Sequence, residues 1–146
     1  MNAFPFVPGS EGWLSVQPLL SGWSGEEKYR IVAPSGERLL LRVSPKPDAR
    51  RRRLELDWMR RAFHRDVRMP RALDCGGDET RSWLLLTWVD GEPLASALPA
   101  LPDARRYELG LEGGGALRLL HRVPAPADRP ETGRISSTGR STARSP

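Results

Sequence analysis

Gly22-Trp23-Ser24-Gly25, Lys28 to Ala33, Pro34-Ser35-Gly36 and Arg38 to Ser44 together form the stretch that decides the fold. The first four residues are turn formers. Lys28 to Ala33 alternates polar and apolar side chains, as a half-buried strand does. Pro34-Ser35-Gly36 is hairpin chemistry, and Arg38 to Ser44 reads as the strand that returns from it. Upstream, Trp13 to Leu20 carries Leu14, Val16, Leu19 and Leu20 and reads as a further strand. The pattern is strand, glycine-containing turn, strand, hairpin, strand.

Downstream, Pro45 and Pro47 end the third strand. Asp48 is an N-cap for a helix running to about His64. Leu54, Trp58, Met59 and Ala62 give that helix one apolar stripe. Val67 to Leu73 is expected as a short fourth strand, with Pro70 marking an edge or a late start. Trp83 to Val89 is a continuous apolar run, expected as a buried strand that Asp90-Gly91 ends. Pro93 to Leu98 reads as a short helix. Asp103 to His121 reads as a longer one, apolar along Leu109, Ala116, Leu117 and Leu120. Gly113-Gly114-Gly115 weakens it, at about 1 kcal/mol per glycine relative to alanine. From Ala127 to Pro146, Ser, Thr, Gly, Arg and Pro dominate, and Ile135 is the one sizeable apolar side chain. Such a segment cannot bury enough surface to offset its ordering entropy, and disorder is expected.

Bulk properties narrow the classes. A chain of 146 residues, 38% hydrophobic, suits one ordinary domain with a modest core. The net charge of +5 admits phosphates, nucleic acid or acidic membranes as partners without choosing among them. Cys75 is the single cysteine, so no intrachain disulfide forms, and a reducing cytoplasm is the expected compartment. Met1 to Pro8 has no secretory pattern. No stretch approaches the roughly 20 apolar residues that span a bilayer, so no membrane partner is expected. Two histidines and one cysteine, scattered, do not make a zinc site.

The order strand-turn-strand-strand-helix-strand-strand-hinge-helix, with its residues, resembles the aminoglycoside phosphotransferase family, whose fold is protein-kinase-like. The resemblance lies in Gly22 to Arg30 as nucleotide loop, Leu39-Leu40-Leu41-Arg42-Val43 as third strand and Leu84 to Glu92 as hinge. It continues through Tyr107-Glu108-Leu109-Gly110 to Leu119-Leu120-His121-Arg122-Val123-Pro124, the helix leading to the catalytic loop. It implies an α+β fold: a five-stranded antiparallel sheet with one helix, a hinge and the first large-lobe helix. Residues 1–92 would then be the nucleotide-binding small lobe with its hinge, 93–126 the helical start of the large lobe, and 127–146 a disordered or frameshift-like tail.

The resemblance also implies a site for ATP. Gly25 lets backbone N–H groups approach phosphate, and Ser24 adds a hydroxyl donor; the other reading of this turn is an ordinary hairpin. Kinases hold the α- and β-phosphates with a third-strand cation, oriented by a carboxylate on the following helix. Arg42 stands at that position, where lysine is common. Being flanked by apolar residues, it needs a partner. Glu55 is the expected one and Asp57 the alternative, and a purely structural ion pair stays open. Thr87 and Val89 would reach adenine through backbone groups, with Leu86 at the back of the pocket. Arg50-Arg51-Arg52-Arg53, extended by Arg60, Arg61 and Arg65, is read as a solvated helix face in preference to a nucleic-acid patch. The tryptophans are read as core or turn packing.

Catalysis asks for more. The family pattern has His-Gly-Asp followed by Asn, and a second Asp for Mg²⁺. Here Val123 follows His121-Arg122, and Asn2 is the only asparagine. No catalytic or metal-binding residue is therefore assigned. The expectation is a truncated family member that keeps at most ATP binding, with a small-molecule acceptor only in full-length relatives. Leu109, Leu117 and Leu120 would be left bare and prone to self-association. A small basic nucleic-acid-binding protein and an inert gene remnant are the other readings.

Overall fold

The computed structural model describes residues 4–20 and 24–124. The expected tail at 127–146, and Gly22 and Trp23 of the turn, lie outside the described residues. Strands β1 (Ser15–Leu19), β2 (Glu27–Val32), β3 (Arg38–Ser44), β4 (Ala72–Gly77) and β5 (Ser82–Thr87) form one antiparallel sheet in the order β1-β2-β3-β5-β4. Helix α1 (Ala49–Phe63) packs against β4 and β5. The expected α+β architecture, five antiparallel strands with a helix, is present.

Local chemistry explains the boundaries. The β2–β3 hairpin closes where the Gly36 N–H reaches the Ala33 carbonyl at 2.8 Å, and Gly36 supplies the φ of 84° this turn requires. Asp48 caps α1 as expected, accepting from the Arg51 N–H at 2.8 Å.

Strand alternation splits β3 between two faces. Leu39, Leu41 and Val43 join a core with Ile31, Trp83, Phe4 and Val7. Leu40 faces the opposite way and packs against a second core that includes Leu84, Leu86, Leu56 and Met59, beneath α1. The first core is covered by residues 4–13, of which sequence patterning gave a place only to Trp13, as the start of a strand. Phe4 packs edge-on against Tyr29 with ring centroids 4.7 Å apart. The Ser10 hydroxyl donates to the Phe4 carbonyl at 2.6 Å, holding this cover in shape.

Three expectations are corrected. β4 was expected at Val67 to Leu73 and runs from Ala72 to Gly77. Val67 is instead buried with Ala62 and Val123, and Pro70 has no N–H to give a ladder. The buried side of α1 is Arg52, Leu56, Met59 and Ala62, whereas Leu54 and Trp58 of the expected stripe are only half-buried. Strand β1 is shorter than expected, since Trp13 and Leu14 precede it.

After β5 come a short helix α2 (Leu94–Ala97) and α3 (Asp103–Leu120). α3 runs unbroken through Gly113, Gly114 and Gly115, whose missing Cβ atoms would all meet open space. No residue of α3 is buried. Leu119 and Leu120 touch the Ala62–Val67–Val123 cluster, while Leu111 and Leu117 are exposed. Among the described residues, no helix is long and apolar enough to cross a membrane.

A tight fit in the sheet lies opposite Trp83. Gly76 is its cross-strand partner, and a Cβ there would stand 2.8 Å from Trp83 Cζ2 and 2.9 Å from Cε2. Trp83 is buried in the core and cannot retreat. Gly76→Ala is expected to destabilise the fold by about 1–3 kcal/mol, the usual range for overpacking. Thermal unfolding checks it, and an unchanged Tm would contradict the close approach.

Candidate functional site

Arg42 owes its position to register. It pairs with Lys28 on β2 and Leu84 on β5, so it shares the α1-facing side of the sheet with Leu84. A charge there, only 22% exposed along its side chain, must be matched.

It is matched by a ring of four side chains. Arg42 Nη1 donates to Glu55 Oε1 at 2.8 Å. Its Nε and Nη2 both meet Glu26 Oε2, at 2.8 and 2.7 Å. Arg52 completes the circuit, with Nη2 on Glu26 Oε1 at 2.6 Å and Nη1 on Glu55 Oε2 at 2.8 Å. Each carboxylate thus gives one oxygen to each arginine, and the ring is formally neutral. The Arg52 side chain is 4% exposed. Among the described residues, no buried side-chain polar atom lacks a hydrogen-bond partner.

Mutual support appears in the protonation behaviour. Burial works against the Arg42 charge, but Glu55 and Glu26 outweigh it and hold the guanidinium pKa above its ordinary value. Burial likewise opposes ionisation of Glu26, but hydrogen bonds from Arg52 and Arg42 prevail and keep its carboxyl below the usual range.

The structure pairs Arg42 with Glu55 and leaves Asp57 exposed. Sequence reasoning missed Glu26 and Arg52. It placed Arg52 on a solvated face with its neighbours; Arg50, Arg51 and Arg53 are exposed, but Arg52 is buried. The usable clue was spacing, since Arg52 lies three residues before Glu55 and the two therefore meet on one helix face. Arg60 is exposed but also engaged, donating to the carbonyls of Ala72 at 3.2 Å and Leu73 at 2.5 Å.

The remaining expected residues occupy distinct places. Ser24 and Gly25 are exposed in the β1–β2 connection, with Gly25 at φ 66°, immediately before Glu26. Leu86 is buried opposite Leu40, on the same sheet face as Arg42. Thr87 is committed to the β4 approach: its N–H donates to the Arg71 carbonyl at 3.0 Å, and its hydroxyl accepts from the Arg71 N–H at 2.9 Å. The Thr87 backbone N–H is therefore already taken within the protein. Val89 is exposed. Between them, the Trp88 N–H donates to the Arg38 carbonyl at 3.1 Å, and its indole N–H to Asp90 Oδ1 at 3.2 Å. The Arg30 guanidinium lies 5.8 Å from the Trp88 ring.

One sheet face therefore runs from a cation, Arg42, through apolar Leu40 and Leu86 to the segment at Thr87–Val89. That polarity fits a nucleotide, anionic at one end and flat and apolar at the other. Among the described residues, no cluster of three His, Cys, Asp or Glu side chains could hold a metal ion.

Comparison with known proteins gives this face a context. The family model described as the phosphotransferase enzyme family matches residues 15–143. No curated protein matches the chain. Among solved structures, an aminoglycoside-3'-phosphotransferase of type VIII aligns with a TM-score of 0.56 at 23% identity, over 82% of this chain and 41% of that one. A Haemophilus somnus 129PT protein assigned as a fructosamine-3-kinase aligns with a TM-score of 0.48 at 17% identity, over 56% of this chain and 27% of that one. The chain thus spans less than half the length of either. The likeness to the first is one of fold.

Two outcomes test the ring. Arg52→Met removes both of its charge-assisted bonds and is expected to cost about 1.5–3 kcal/mol, read from the urea midpoint at constant m. The second concerns acid. Because the folded-state pKa of Glu26 is depressed, its contribution is complete above the ordinary value near 4.5 and is lost as pH falls through the folded-state value. Glu26→Gln is therefore expected to flatten the loss of stability below about pH 4.5. An unchanged acid limb in that variant would show that Glu26 is not held by the two arginines.

Proposed function

The chain belongs to the phosphotransferase enzyme family, and on that premise we propose that its sheet and first helix form the ATP cradle of a small-molecule kinase. The observation that carries this reading is Arg42, a part-buried cation on the third strand oriented by Glu55 from the helix, at 2.8 Å. In this reading Arg42 grips the α- and β-phosphates, and Ser24 and Gly25 offer the turn that approaches them. Leu86 closes the back of the base pocket. The Thr87 carbonyl and the Val89 N–H meet the base edge. ATP, when bound, supplies the γ-phosphoryl group. The reading places residues 1–92 in a small lobe and 93–126 at the start of a large one, in a cytoplasmic protein.

Transfer of that group to a hydroxyl of an aminoglycoside or a similar small molecule is the activity the family resemblance implies. These 146 residues are proposed to bind ATP and not to transfer phosphate alone. The supporting observation is that Val123 follows His121-Arg122 and that Asn2 is the only asparagine, so the loop Asp and Asn are not contributed here. A nucleic-acid reading of the arginine-rich helix draws less support, because Arg52 is buried in the ring and Arg60 donates to the backbone carbonyls of Ala72 and Leu73.

A thermal-shift titration with MgATP tests the reading. At a ligand concentration of 100 Kd, binding stabilises the native state by about 2.7 kcal/mol, a readily seen rise in Tm. Wild type is expected to show it and Arg42→Ala to lose it. Equal protection of both proteins, or protection that depends on Arg50, Arg51 and Arg53 and fades steeply with salt, would overturn the assignment.

A further inference from the structure

Every nitrogen of the Arg42 guanidinium is already engaged. Nη1 is on Glu55, and Nε and Nη2 both converge on Oε2 of Glu26. Glu26 directly follows Gly25, at the end of the turn assigned to the phosphates. The Nε–Nη2 edge of an arginine is the fork that a phosphate oxygen takes. A nucleotide phosphate and the Glu26 carboxylate therefore want the same two donors.

We propose that Glu26 is a built-in stand-in for phosphate: it holds Arg42 in position in the empty protein and is displaced from it by a nucleoside polyphosphate, while Arg52 retains Glu26 and Glu55. The inference rests on the nucleotide reading of this site. Arg52 makes the exchange feasible. A part-buried carboxylate left without its cation beside an incoming anion would be costly. Glu26 Oε1 is bonded to Arg52 at 2.6 Å and Glu55 Oε2 to Arg52 at 2.8 Å, through oxygens Arg42 does not use. Both carboxylates thus keep one charge-assisted bond when Arg42 changes partner. Ser24 and Gly25, which precede Glu26, are exposed, so its withdrawal uncovers no buried side chain of theirs. Arg52 is in this scheme a positioning residue, acting on phosphate only through Arg42.

The test compares MgATP with adenosine, which lacks phosphates, by calorimetric titration of the 146-residue chain. Glu26→Gln keeps the shape and removes the competing charge. It is expected to tighten MgATP by on the order of tenfold, the equivalent of one charge-assisted bond, and to leave adenosine unchanged. Arg52→Met is expected to weaken MgATP several-fold and leave adenosine unchanged. A merely structural ring predicts the opposite sign for Glu26→Gln, with both ligands weakened. If folded Glu26→Gln binds MgATP equally or more weakly while wild type binds and Arg42→Ala does not, the stand-in role is wrong and the nucleotide reading stands. If neither wild type nor Glu26→Gln binds MgATP, the nucleotide reading itself falls. Should Glu26→Gln not fold, the wild-type arginine Nε–H resonances decide. Arg42 is expected to shift on saturation with MgATP and Arg52 to hold; a silent Arg42, or an Arg52 that moves with it, overturns the exchange.

Discussion

A guanidinium that is 4% exposed sets the terms for this molecule. Arg52 sits inside the protein on a helix whose neighbouring arginines are in water, and only two carboxylates in fixed places make that tolerable. One comes from its own helix at Glu55, the other from the loop ahead of β2 at Glu26. Satisfying Arg52 therefore fixes the rotation of α1 on the sheet and ties the loop to the helix. It also leaves two carboxylate oxygens facing Arg42, which can then occupy a strand position otherwise reserved for apolar side chains. The ring continues the apolar seam: Arg52, Leu56, Met59 and Ala62 follow one another down the same side of α1. Loop, strand and helix meet at a point where charge does the locating and the hydrophobic contacts beneath supply the bulk of the burial.

Much of this was legible in the residues, for physical reasons that differ by element. The hairpin at Pro34-Ser35-Gly36 and the Asp48 cap are local chemistry, complete within four or five residues, and both appear where expected. Arg42 was legible because the family resemblance puts a cation at that strand position, and a charge flanked by apolar residues needs a partner. β4 was misplaced because Val67 and Met69 look like strand residues yet are used beneath α1. Arg52 was hidden by composition, since four consecutive arginines look alike until a carboxylate on a distant loop selects one. The cover formed by Phe4, Val7 and Ser10 is too short to show a period and is specified by the face it meets.

The two sides of the sheet have divided their tasks. Residues 4–13 seal one side with aromatic packing, leaving the other for α1 and for the row from Arg42 through Leu40 to Leu86. The exit from β5 is strapped on both flanks, to Arg71 through Thr87 and to Arg38 through Trp88. A ligand on this face would meet a segment already ordered, so little entropy remains to be lost there on binding.

The three consecutive glycines of α3 have a different consequence. With open space at each Cβ position, they serve no packing purpose among the described residues, and together they weaken the helix by about 3 kcal/mol relative to alanine. A helix with no buried residue and that handicap has little to hold it when its surface is bare. Its amide protons should then exchange early, well before those of the sheet. Anything that lies over Leu111 and Leu117 would slow them. This helix is in that sense a gauge, reporting through its own exchange rate whether its apolar side is covered.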